Sequence, residues 1–265
     1  SGIYRFIRII SFKTMKISII TIAFNNEKEI AQTIESAINQ NYPNIEYIIV
    51  DGASKDDTPE VIYNYKKHIS KIITEPDKGI YDAINKGIKA ATGDVIGLIH
   101  AGDELFDNKV VEKIVSCFNQ HEVDAVYGHS KILSQDGTKV VRINKSPDFK
   151  KNLFSRGWFP SHQSFYAKSE LFEKFGLYNL KYRIAADYEL LFRFIYINKI
   201  NVKLLDEYMV KFKQGGTSTK SIKNILQLNK ECVAAWRDNG VKIPFYTIPL
   251  KLLRKLEQVF RAELI

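Results

Sequence analysis

Asp103 follows a run with no charged residue. Val95 to Ile99 reads Val-Ile-Gly-Leu-Ile, with Thr92-Gly-Asp94 before it and His100-Ala-Gly-Asp-Glu104 after it. Such a run predicts a strand buried on both faces, as in a parallel sheet. In open α/β sheets, ligands bind beyond the carboxyl ends of the strands. A carboxylate there suits a hard divalent cation, which takes oxygen ligands and bridges phosphates. A plain surface turn would use the same residues. Asp51 closes a second apolar run and opens Asp51-Gly-Ala-Ser-Lys-Asp-Asp-Thr58. It can accept from a uracil N–H or a ribose hydroxyl, and Gly52 lets backbone approach a base; Ser54 and Asp56 suit the turn's own amides. Asp77, Lys78 and Gly79 precede a predicted helix, whose free amides favour anions. Lys78 or Lys86 could meet phosphate and Asp82 a ribose or sugar, although Asp82 and Lys86 read equally as solvated helix charges. Asp187 opens an amphipathic run with Leu190, Leu191, Phe194 and Ile195 on one face, where Asp is also a favoured cap. Gly215-Gly216 offers exposed amides able to close over a pyrophosphate.

Regular elements must hold these groups. Ile17 to Ala23 predicts a central strand, ending in the turn Phe24-Asn25-Asn26. Glu27 to Ile38 predicts a helix capped by Asn26, because Ile30, Ile34 and Ile38 recur every four residues. Strands follow at Tyr47–Val50 and Ile72–Ile73. Helices follow from Thr58-Pro59 to His68 and over Ile80–Ala91. With the strand at Val95, this alternation predicts a mostly parallel central sheet flanked by helices. Further on, helices are expected at Asn108–Phe118, Ser169–Phe175 and Asp187–Ile197. Strands are expected at Ala125–Tyr127, Lys139–Ile143, Val202–Leu205 and Tyr208–Phe212, then helices over 221–239 and 244–264. Residues 1–14 read as an extension before Met15. The rest divides into a first half (15–107), a second half (108–218) and a C-terminal helical region (219–265).

Composition limits the function classes. The chain has 265 residues, 45% hydrophobic, with net charge +9. The two ends carry that excess and leave the body slightly negative, which argues against a nucleic acid wrapping the protein. Cys117 and Cys232 lack metal-like spacing and point to a reducing compartment. No apolar run is long enough to span a membrane, and residues 1–16 lack a signal-peptide cleavage pattern.

Taken in order over residues 17–218, these motifs resemble the family-2 glycosyltransferases, which have the A-type, Rossmann-like nucleotide-sugar fold. The Ala23 to Asn25 turn is similar to the family's first strand end. The Asp51 segment matches Asp-(Asp/Gly)-x-Ser-x-Asp-x-Thr, and Asp77 to Gly87 matches a subgroup's Asp-x-Gly-x-x-Asp-Ala-x-Asn-x-Gly. The resemblance implies donor contacts from Ala23, Asn25, Asp51, Lys78 and Asp82, and from His100, Ala101 and Gly102. It implies a metal, Mn²⁺ or Mg²⁺, on Asp103. His162-Gln163 and the Gly215-Gly216 loop would line the sugar and acceptor side, and Asp187 would be the general base. The chain departs from the pattern twice: Gly102 and Ala186 stand where the family often has acids.

The expectation is an inverting glycosyltransferase moving a sugar from a nucleotide sugar, UDP-sugar first, to a lipid-linked or glycan hydroxyl in bacterial cell-surface polysaccharide synthesis. It would work in the cytoplasm, at the inner face of the plasma membrane. A nucleotidyltransferase should instead show a Gly-rich basic loop after the first strand, where this chain has Phe24-Asn-Asn-Glu-Lys28. The two missing acids leave a catalytically inactive nucleotide-sugar-binding scaffold as the other reading. Over 244–265 an apolar helical face with Leu252 and Leu253 opposes a basic one with Lys251 and Arg254. That pattern fits peripheral contact with an anionic membrane, or packing on the body or a second copy in a homodimer.

Overall fold

The computed structural model describes residues 14–150, 152–214 and 221–254. Its first half alternates strand and helix: β1 (Ile17–Ala23), α1 (Ile30–Ile38), β2 (Ile45–Asp51), α2 (Thr58–Asn64), β3 (Lys71–Thr74), α3 (Ile80–Ala90) and β4 (Val95–His100). β3, β2, β1 and β4 lie side by side and parallel. β1 is buried along its whole length, so a period-2 pattern is absent and both faces carry core. Ile20, Ile22, Ile48 and Val50 pack under α3 on one face. Ile19, Tyr47 and Ile49 pack with the Ile30 and Ile34 stripe of α1 on the other.

The second half makes the sheet mixed. It contains β5 (Asp103–Leu105), α4 (Val110–Gln120), β6 (Ala125–Leu133), β7 (Val140–Asn144), β8 (Phe165–Lys168), α5 (Glu170–Phe175), α6 (Ala186–Leu191), β9 (Val202–Lys213) and α7 (Ile222–Asp238). Strand order runs β3-β2-β1-β4-β8-β6-β9-β5, with β7 also on β6. β6 and β9 are parallel; the β4–β8, β6–β8, β6–β7 and β5–β9 pairs are antiparallel. The mostly parallel sheet expected from sequence therefore holds for β3 to β4, and the remainder is mixed.

Four local expectations need correction. β5 and β8 were not anticipated, because three- and four-residue strands carry too little pattern. The two segments at Val202–Leu205 and Tyr208–Phe212 form the single strand β9, whose register with β6 shifts around His129. The helix expected from Asp187 to Ile197 ends as α6 at Leu191 and continues as a π-helix over Phe192–Ile197. Asn26 does not cap α1 with its side chain; its amide oxygen accepts from Phe24 N at 3.1 Å, while its carbonyl takes the Ile30 N–H. The glycine inside β4 has a steric reason: a Cβ on Gly97 would run into the Tyr166 ring of β8.

Candidate active site

The ends of β1, β2 and β4 form one rim, because Ala23 is opposite Asp51 and Ile22 opposite His100. Gly52 N donates to Ala23 O at 2.9 Å, tying the first two ends together. Asp51 is fully buried and accepts from the Ser54 N–H at 3.2 Å and from the Ser54 hydroxyl. Ser54 Oγ in turn accepts from Asn25 N, and Asn25 Oδ1 accepts from Lys55 N, both at 2.8 Å. Asp56 binds the Thr58 and Glu27 amides. The turn thus uses Ser54 and Asp56 for its own amides, as their types suggested. Asn25 holds φ 52°, a left-handed value that Asn tolerates.

Two groups stand at this rim in places that sequence reasoning did not assign them. Phe24 is 56% exposed beside Gly52. The Asp77 carboxylate sits over Gly52, so that a side chain there would displace it. Lys78 is exposed, and its N–H donates to Asp82 Oδ2 at 3.0 Å. Lys86 is already engaged, with Pro76 O at 2.6 Å and Glu75 at 3.0 Å.

After β4 the chain turns sharply at Ala101-Gly102. Gly102 has φ +96°, a conformation that disfavours any Cβ. A Cβ there would also lie 2.9 Å from Glu29 Oε2. The backbone geometry thus accounts for the missing acid, and the Glu29 carboxylate from the start of α1 stands beside the same turn. Thr33 fastens it: its hydroxyl accepts from Gly102 N at 3.0 Å and donates to Asp103 O at 2.7 Å. Asp103 is only 9% exposed. Burial pushes its carboxyl up to about 7, with His162 and Gln163 opposing. Gln163 Nε2 lies 3.4 Å from Asp103 Oδ2. No group of three His, Cys, Asp or Glu side chains among the described residues is placed to hold a metal ion by itself. A divalent cation on Asp103, with Glu29 nearby, would therefore draw most ligands from phosphate and water, as Mg²⁺ commonly does.

Asp187 reaches this rim from the far end of the chain. It is the second residue of α6, behind the N-cap Ala185, so it is not the cap. Its Oδ2 lies 3.1 Å from His162 Nδ1, and its Oδ1 accepts from Tyr81 OH at 3.2 Å. His162 Nε2 lies 2.7 Å from His100 Nε2. Burial opposes the Asp187 anion, but His162, the Tyr188 backbone amide and Tyr81 together outweigh it and hold the carboxyl below the usual range. Burial and His162 push His100 down to about 3, keeping it neutral. Tyr81, Asp187, His162 and His100 thus form one polar chain from α3 to the end of β4, beside Asp103. α7 supports it: the Glu231 carboxylate accepts from the amides of Arg183, Ile184 and Ala185 at 2.8 to 3.1 Å. No residue pattern in the sequence marks Tyr81 or Glu231 for these roles. Gly215 and Gly216 lie outside the described residues.

Comparison with known proteins identifies the family and the fold. The sequence profile described as "Glycosyl transferase family 2" matches residues 18–179. An uncharacterized glycosyltransferase of Mycobacterium tuberculosis is 32% identical over 67% of this chain and 68% of its own length. A Mycobacterium bovis PGL/p-HBAD biosynthesis glycosyltransferase is 29% identical over 65% of this chain and 66% of its own. Among solved structures, S. aureus TarS 1-349 in complex with UDP-GlcNAc superposes with TM-score 0.68 at 15% identity, covering 93% of this chain and 73% of that one. A Pyrobaculum calidifontis mannosyltransferase in complex with GDP-Man and Mn²⁺ gives TM-score 0.63 at 17% identity, covering 91% and 69%. At these identities the structural likeness speaks to the fold, which is the A-type glycosyltransferase fold.

Proposed function

Because the chain belongs to glycosyl transferase family 2, we propose that it is an inverting enzyme that uses a UDP-sugar and an acceptor hydroxyl. That it is a nucleotide-sugar glycosyltransferase follows from the family; the inversion, the metal, the base and the acceptor are the proposal. One observation carries it. Asp103 and Asp187, 84 positions apart in sequence, meet at one sheet rim through Gln163, His162 and His100.

In this reading the nucleoside lies along Ala23, Asn25 and Asp51, with Phe24 beside the base. Lys78 and Asp82 face its phosphate and ribose side, and His100, Ala101 and Gly102 the sugar diphosphate. Mn²⁺ or Mg²⁺, held by Asp103, would supply positive charge to the departing diphosphate. Asp187 takes the proton from the acceptor hydroxyl as its oxygen attacks the anomeric carbon. The carbon–phosphate-oxygen bond breaks from the opposite face and its electron pair leaves with the nucleoside diphosphate. The hydroxyl becomes acidic as its new bond forms, so a carboxylate of low basicity suffices late in the step. His162 and Tyr81 hold that carboxylate in place and ionised. His162-Gln163 and the Gly215-Gly216 loop would border the sugar and acceptor.

The acceptor is proposed as a lipid-linked or glycan hydroxyl in cell-surface polysaccharide synthesis, approached from the cytoplasmic face. The exposed Leu252 and Leu253, near Arg254, support peripheral membrane contact. No helix among the described residues is long and apolar enough to cross a membrane. The test is a thermal-shift screen of UDP- and GDP-sugars with and without Mn²⁺, followed by donor hydrolysis. A ligand at 100 times its Kd should stabilise the fold by about 2.7 kcal/mol. Binding without hydrolysis or transfer under any metal would favour the inactive scaffold instead.

A further inference from the structure

We propose that Arg142 is an anion receptor on the acceptor side of the site, taking a phosphate or carboxylate group of the acceptor substrate. This rests on the assignment of Asp103 and Asp187 to the transfer centre.

Arg142 lies in β7, half-buried, and its Nε has no hydrogen-bond partner. Its guanidinium makes no ion pair among the described residues. Arg193 shows the contrast: its guanidinium binds both Glu189 oxygens and the carbonyls of Phe175, Gly176 and Leu177. A buried guanidinium nitrogen without a partner costs stability, and an anion arriving from outside would satisfy it.

The sheet register says where that anion would sit. Arg142 is opposite Ile132, Ile132 is opposite Phe212, and Phe212 is opposite Asp103. Directly opposed residues project on the same face. Arg142 and Asp103 therefore share one transverse row and one face, three strand spacings apart, about 14 Å between backbones. The opposite face confirms the parity: Glu104 and Lys211, also opposed, meet at 2.9 Å. Ser130 lies two residues before Ile132, on the Arg142 face. It is fully buried and its hydroxyl has no partner. Further along β6, four residues before Ile132, Ser164 Oγ donates to Gly128 O at 3.1 Å, which ties the His162–Ser164 turn to that strand. The Arg142 Nε and the Ser130 hydroxyl, both without a partner, thus share one face of β7 and β6, and the turn that carries His162 and Gln163 is tied to β6 two residues before Ser130. A planar fork of N–H donors fits a phosphate or carboxylate, bound bidentately.

The test uses ¹⁵N-labelled full chain saturated with UDP and Mg²⁺, so that the donor site is already filled. The Arg142 Nε–H signal is assigned by its loss in Arg142→Gln. Methyl phosphate and methyl glucuronate are titrated separately. Movement of that signal by methyl phosphate alone assigns a phosphate-bearing acceptor, and by methyl glucuronate alone an acidic sugar; movement by both supports a general oxyanion site. R142Q should bind UDP as wild type does, lose at least tenfold in affinity for the active anion, and melt at or above the wild-type temperature. The proposal is overturned if neither anion moves the signal, if R142Q binds them equally, or if R142Q melts several degrees lower, which marks a structural arginine. Failure of the wild type to bind UDP would instead strike the donor-site reading.

Discussion

Asp103 is buried and Asp187 half-buried, and their environments push them in opposite directions. Asp187 faces donors, Tyr81 and His162, and stays ionised. For Asp103, burial outweighs His162, Gln163 at 3.4 Å and a His100 backbone contact, and its carboxyl rises to about 7. A resting anion suits a base, and a carboxyl that gains from a nearby cation suits a metal ligand. Asp187→Asn is expected to lower transfer by roughly 10²–10⁴-fold while donor affinity stays within twofold. Parallel loss of UDP-sugar binding, read by calorimetry, would show the residue to be structural. Asp103→Asn is expected to abolish metal-dependent turnover without lowering the melting temperature. Full activity of that variant, or of the wild type in EDTA, would remove the metal role.

At the scale of elements, two carboxylates hold the site's supports in register. Glu231 on α7 collects three amides ahead of α6. Glu231→Ala leaves those buried donors unpaired, at about 1–3 kcal/mol each before relaxation. It should lower the melting temperature and reduce transfer more than donor binding, because Asp187 sits just beyond those amides. Unchanged transfer in a destabilised but folded variant would separate α7 from the chemistry. Glu46 on β2 does the same at the other end of the sheet. Its buried carboxylate accepts from Lys16 Nζ at 2.8 Å, Ser18 Oγ at 2.5 Å and Thr92 N at 2.7 Å. Burial alone would raise its pKa, but these bonds carry it down to about 2. A depressed carboxylate contributes stability above its unfolded pKa, near 4.5, and that contribution is lost as pH falls toward 2. The amount is about 3 kcal/mol. Denaturant titrations at pH 7, 4 and 3 should show the loss in wild type and a flatter profile in Glu46→Gln.

For the whole molecule, the C-terminal segment has two relations to its surroundings. Residues 247–254 are helical and pack inward on one side. Thr247 Oγ1 donates to Ser155 O at 2.6 Å, and the buried Lys251 lies 3.0 Å from Cys232 Sγ. Lys251 is therefore not on an exposed basic face, as sequence periodicity suggested. Leu252 and Leu253 instead point outward, and Phe245 is 92% exposed. The paired change Leu252→Glu and Leu253→Glu should abolish co-sedimentation with anionic vesicles, which wild type should show and salt should weaken, without shifting the melting temperature. If wild type ignores anionic vesicles, or the variant melts lower, the leucines serve packing or a second copy of the chain.

The sequence alone sufficed for the alternating parallel strands β1 to β4 and their helices, though not their order in the sheet, for the family, and for placing Asp51, Asp103 and Asp187 at element ends. Those features are local: an apolar run, a four-residue period, an acid at a strand end. What tertiary structure decided was every relation across long separations. Tyr81 joins Asp187 over 106 residues, His100 joins His162 over 62, and Glu29 stands over Gly102. The short strands β5 and β8 exist because longer neighbours offer free edges, and not because three or four residues prefer extension. Nor does Gly102 read as a left-handed turn until the chain is seen to reverse there. One residue's type cannot report the partner that folding brings to it, because that partner is set by register and packing between distant segments.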